Sequence, residues 1–218
     1  MEKVTSEKYF LVDNGSRSPD SIIYMRNVAI ELEKITGFSV MPCGIMHSHK
    51  VDASKLQGQP GMSLESFFLS KEAEVAKKLS FVPMFIGPSL AITDWLPEKL
   101  TEWRQNGNER KFSIADCIYK KKDDRIAKAL TEYVVDLIPQ FSPVKPFLIL
   151  VDHGTPIPEV NLVREEIGYH LEKKLANQIS GFSTACMERR EGTQYDFNDP
   201  LLEILLEDLK ASDCSCVI

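Results

Sequence analysis

Short apolar runs alternate along the chain with longer stretches in which apolar residues recur at helical spacing. Residues 9–13 read as a first strand. Ile22, Ile23, Val28, Ala29 and Leu32 then mark one face of a helix over 20–35, with Gly37 as its stop signal. A second strand is predicted over 38–43, and a polar, glycine-containing loop over 47–61. Ser63 is placed to cap a helix over 64–79, with acidic residues early and lysines late, as the helix dipole favours. A third strand over 81–86 contains Pro83, an awkward residue for a central strand. A helix over 97–103, a strand over 112–118 and a helix over 124–137 follow, with Ile126, Leu130, Val134 and Leu137 on one side of the last. The proline-containing stretch 139–146 reads as a linker. Beyond it the alternation resumes, with strands over 147–151 and 182–187, helices over 159–175 and 199–209, and the start of a strand over 214–218. Strand–helix alternation of this kind predicts α/β architecture with parallel sheets and right-handed crossovers.

The second half echoes the first. Leu11-Val12-Asp13-Asn14-Gly15-Ser16-Arg17 returns 139 residues later as Leu150-Val151-Asp152-His153-Gly154-Thr155-Pro156. Each copy is an apolar strand, an Asp, a polar residue, a Gly and a hydroxyl, followed by a helical pattern. The echo predicts two modules, over 1–139 and 146–218, with the second incomplete at its C-terminus. In such a module 214–218 would be a third strand lacking its outer neighbour, and it is expected to pair with another chain or fray. The end of the first strand in each module is where open parallel sheets place their chemistry.

Composition narrows the function classes. A net charge of −6 disfavours nucleic acid as a partner. No apolar stretch approaches the ~20 residues of a membrane span, and the charged start of the chain resembles neither a secretory signal nor a transit peptide. Five cysteines at 43, 117, 186, 214 and 216, odd in number and widely spaced, read as reduced thiols of a cytoplasmic protein rather than a disulfide framework.

These motifs resemble the CbiX-type sirohydrochlorin chelatases, class II chelatases that insert cobalt or iron into a tetrapyrrole without ATP. Members open each half with a strand ending in His-Gly-Ser-Arg or a variant, matched here by Asn14-Gly15-Ser16-Arg17 and His153-Gly154-Thr155. A Met-Glu pair follows the second strand, aligned here with Met46-His47 and Met187-Glu188. A Pro-x-Phe-Leu strand and a second His come next; Pro83-Met84-Phe85-Ile86 fits the former, and Ala91 stands near the place of the latter. The resemblance implies two chelatase-like modules and a lyase that inserts Co²⁺ or Fe²⁺ into sirohydrochlorin or a related tetrapyrrole, in siroheme or cobalamin biosynthesis. The divalent metal would be a substrate, and no organic cofactor is implied. Homo-oligomerisation is left open.

The same chemistry assigns roles. His153 would ligate the metal and accept a pyrrole proton, and Glu188 would support it, because neutral imidazole suits cobalt and iron(II) and a carboxylate orients it. His47, in a His-Ser-His pair with His49, is a further metal candidate. Asn14, Gly15, Ser16, Arg17, Gly154 and Thr155 would line the substrate site, the glycines admitting a flat ligand and the hydroxyl residues either capping the next helix or leaving N–H groups free for substrate carboxylates. Asn14 and Ala91 replace the residues that coordinate in the first half. A non-catalytic homologue that binds tetrapyrrole or divalent metal is therefore the alternative, and a plain metal carrier a third reading.

Overall fold

The computed structural model describes residues 7–212 and 214–218; the N-terminal residues read above as carrying no targeting signal lie outside the described ones. The chain forms two compact units, Met1–Ile118 and Tyr119–Ile218.

The first unit is built on a parallel sheet in the order β2-β1-β3-β4, from β1 (Glu7–Asp13), β2 (Val40–Gly44), β3 (Lys78–Pro83) and β4 (Lys111–Ile114). Helix α1 (Pro19–Thr36) connects β1 to β2, with Pro19 in its first turn and Gly37 ending it in a left-handed conformation. β1 is one of the two inner strands, and Phe10, Leu11 and Val12 are fully buried in it. Phe10 stacks on Phe81 (centroids 4.9 Å apart) and meets Phe67 edge-on (4.7 Å), which fixes the core of one sheet face. Leu11 packs on the other face against Met25 and Ala29 of α1.

The helix predicted over 64–79 is instead two short helices, α2 (Leu64–Phe68) and α3 (Lys71–Val75), followed directly by β3. Ser63 caps the first as expected. Ser70 caps the second through its hydroxyl, which accepts from the Ala73 N–H at 3.3 Å. Because β3 begins at Lys78, Pro83 falls at its C-terminal end, paired with Val12, where no interior ladder bond is lost. A turn of π-helix over Ala91–Trp95 leads into α4 (Leu96–Gln105).

In the second unit β5 (Phe147–Asp152) and β6 (Gly181–Cys186) pair in parallel, joined by α6 (Pro158–Leu175). Helix α5 (Arg125–Leu137) belongs to this unit. Its Val134 shares a buried cluster with Leu148, Leu171 and Leu175, and its Ala127 another with Val163 and Ile167. The unit boundary therefore falls before α5, whereas the sequence placed a linker after it; burial of the α5 stripe is the physical reason. Helix α7 (Leu202–Ala211) follows a 3₁₀ turn over Thr193–Asn198. Residues 216–218 do not fray but pair within the chain. They run parallel to β5, with Phe147 N–H donating to Cys216 O at 2.8 Å, Ile149 N–H to Ile218 O at 2.9 Å and Ile218 N–H to Phe147 O at 2.9 Å. Among the described residues, no helix is long and apolar enough to cross a membrane, and all five cysteines are free.

Candidate active site

At the C-terminal rim of the second sheet, ladder pairing continues past the two strands. The Met187 N–H donates to Asp152 O (2.9 Å) and the Glu188 N–H to His153 O (3.1 Å). This backbone register sets the two side chains next to each other, with His153 Nε2 3.2 Å from Glu188 Oε1. Both are open to solvent, their side chains 74% and 72% exposed. A neutral imidazole offers one ring nitrogen with a free lone pair, able to take a cation or a proton.

Gly154 is what permits this approach. It has φ of +95°, and a Cβ there would lie 1.8 Å from Glu188 O. Its N–H donates to Asp152 Oδ1 at 3.1 Å. Thr155 and Ser16 do not cap their helices; Ile157 and Ser18 hold those positions. Nor are their amides free for a substrate. Thr155 N–H donates to Asn198 Oδ1 (3.0 Å) and Ser16 N–H to Ser48 Oγ (3.2 Å), while the two hydroxyls accept from Ile157 and Ser18. Gly15 N–H is likewise held by Asp13 Oδ1 at 2.8 Å.

Beneath the His153 turn lies a buried polar network that sequence reading missed. Arg164, 4% exposed, directs Nη1 to Asp152 Oδ1 (3.0 Å) and Nη2 to Asn198 O (3.1 Å), and its Nε donates to Glu165 (2.9 Å). Asn198 is fully buried and its Nδ2 donates to the carbonyls of Thr155 and Tyr195. The signal was present: Arg164 shares a helical face with Ile167, Gly168 and Leu171, all of them buried. Arg189 fastens the following loop through Asp199 (2.7 Å) and Asp196 (3.2 Å).

The first unit repeats this rim with different side chains. Ile45 N–H donates to Asp13 O (2.8 Å) and Met46 N–H to Asn14 O (3.1 Å). Ile45 thus corresponds to Met187 and Met46 to Glu188, one residue out of step with the alignment of Met46-His47 on Met187-Glu188. The imidazole and carboxylate of the second unit are matched here by an amide and a thioether. Gly15 repeats Gly154, with φ of +81° and a Cβ position 1.7 Å from Met46 O. His47 lies one residue beyond, half-buried at the start of a 3₁₀ turn, and the neighbouring His49 has a buried Nδ1 without a hydrogen-bond partner. Arg17 is exposed, and Ala91 packs against the core. Among the described residues, no three His, Cys, Asp or Glu side chains gather into a metal-holding group.

The cavities of the first unit include a groove and a smaller pocket. The groove, of about 660 Å³, runs from Met46 along Phe68, Leu69, Trp95 and Trp103, with Lys99 and Arg110 on its walls. The other, of about 420 Å³, lies between α1 and β2 and reaches Asp13. Neither is lined by His153 or Glu188.

The two parallel sheets, of four and two strands, flanked by helices, define a chelatase-like α/β fold. Among solved structures the chain is similar to SirB from Bacillus subtilis with Fe³⁺, with a TM-score of 0.64 and 14% identity over 94% of this chain and 71% of that one. It is also similar to the sirohydrochlorin chelatase SirB from Bacillus subtilis subspecies spizizenii in complex with cobalt, with a TM-score of 0.57 and 13% identity over 97% of this chain and 85% of that one. At these identities the likeness is one of fold. No protein-family model matches the chain, and no curated protein matches it.

Proposed function

We propose that the chain is a tetrapyrrole metallochelatase that inserts Co²⁺ or Fe²⁺ into sirohydrochlorin or a related macrocycle, in siroheme or cobalamin formation in the cytoplasm. The observation that carries the reading is the solvent-open His153–Glu188 pair, 3.2 Å apart on a sheet rim. Metal insertion must strip water from a divalent ion, hand it to four pyrrole nitrogens and remove two N–H protons. An imidazole beside a carboxylate serves these steps: its free nitrogen binds the incoming cation and, once the metal has passed to the macrocycle, takes up one pyrrole proton, while solvent water takes the other. His47, on the first unit, is a separate candidate metal ligand.

A second reading, a homologue that binds tetrapyrrole or metal without turnover, is favoured by Asn14 and Met46 on the first rim and by the absence of a three-ligand group among the described residues. Anaerobic mixing with sirohydrochlorin and Co²⁺ or Fe²⁺ separates the two. Turnover above the buffer rate that is lost in His153→Ala supports the chelatase. A tetrapyrrole difference spectrum with no metal-dependent progress supports the binding protein.

A further inference from the structure

The two units answer the same structural question differently beneath their rims. Helices α1 and α6 run in step, Pro19 with Pro158 and Thr36 with Leu175, each pair 139 residues apart. At the same offset, Asp13 corresponds to Asp152 and Met25 to Arg164. In the second unit the carboxylate is met by a buried guanidinium at 3.0 Å, which also donates to a backbone carbonyl. In the first unit that guanidinium is missing. Met25 stands in its place, a cavity of about 420 Å³ opens there, and Asp13 lines it. Asp13 keeps its turn bond from Gly15, but among the described residues no cation pairs with it.

We propose that this cavity is a binding site for a small molecule carrying a guanidinium or ammonium group on an aliphatic stem, with Asp13 as the anchor for the cation. The volume suits a small ligand. Ile22, Met25, Met41 and Met62 supply apolar wall for the stem. Charge fits as well. Glu33 is a second lining carboxylate, whereas the one lining cation, Arg26, is spent on the carbonyls of Leu56 (2.9 Å), Gln59 (2.8 Å) and Pro60 (3.2 Å). Burial holds the Asp13 carboxyl above its ordinary range, the condition of a carboxylate lacking a counter-ion. A bound cation reverses that, so affinity rises with pH as Asp13 ionises. The site is independent of the His153 rim and of the chelatase reading.

Calorimetric titration of the full chain with agmatine, a four-carbon stem bearing both cations, tests the site; butylurea is the neutral control. One saturable site is expected, weakened at least tenfold in Asp13→Asn and absent in Met25→Arg, whose new guanidinium fills the cavity as Arg164 does in the second unit. Butylurea should not bind. No saturable binding by the native chain, unchanged affinity in either folded variant, or butylurea binding as tightly as agmatine overturns the proposal.

Discussion

His153 and Asp13 show how one residue changes the chemistry of a shared turn. Both belong to Asp-polar-Gly turns that share their backbone hydrogen bonds, yet only the second turn carries an imidazole facing a carboxylate. Gly154 holds that pair together, so Gly154→Ala is expected to destabilise the fold by about 1–2 kcal/mol or more from its left-handed conformation alone, with the Glu188 clash added. Chemical denaturation measures the loss, and the same variant should lose metal-dependent activity. Asp13 gives a pH signature. Burial, outweighing the turn's hydrogen bonds, raises its carboxyl above 3.8, so the folded chain keeps this proton to a higher pH than the unfolded chain does. Folding therefore loses stability as pH rises from about the unfolded value through the raised folded one. Asp13→Asn retains the acceptor for Gly15 and removes that loss. Its denaturation midpoint should exceed the native one at pH 7, with the gap closing below pH 3.8.

Elements explain what could and could not be read in advance. Helices α1 and α6 and strands β1 and β5 were legible because their apolar periodicity is long, and proline and glycine mark their ends. The stretch over 64–79 was not, because the same periodicity conceals a second cap at Ser70, and only tertiary pairing with β1 draws Lys78–Pro83 into a strand. The Asp152–Arg164–Asn198 network escaped for a related reason: a charged residue on an apolar face reads as an exception until its partners, 12 and 34 residues away, are located. Removing that guanidinium leaves the Asn198 carbonyl without its donor and Asp152 with the Gly154 N–H but no counter-ion. Arg164→Met should cost about 2–3 kcal/mol of stability by thermal or urea unfolding, while Arg17→Met, on an exposed side chain, should cost little. Helix α5 gives a further test of the unit boundary. A fragment over 119–218 should unfold cooperatively, and one over 146–218, stripped of Val134 and Ala127, should not.

Over the whole molecule, duplication with divergence is the unifying feature. Two sheets of one design keep the same rim geometry, down to glycine approaches of 1.7 and 1.8 Å for an added Cβ. Their side chains have parted company: His153, Glu188 and Arg164 on one side, Asn14, Met46 and Met25 on the other. The candidate site was half legible in the sequence. The His-Gly-Thr echo marked His153, but the one-residue offset that pairs Glu188 with Met46 is set by backbone hydrogen bonds that no spacing reveals. The imidazole–carboxylate pair belongs to the second rim; the matching positions of the first are Asn14 and Met46. The most direct test compares initial rates of anaerobic cobalt insertion into sirohydrochlorin by His153→Ala and Asn14→Ala chains. Loss of at least a hundredfold in the former, with a near-native rate in the latter, is the expected result. A native rate in His153→Ala, or loss confined to Asn14→Ala, would contradict it.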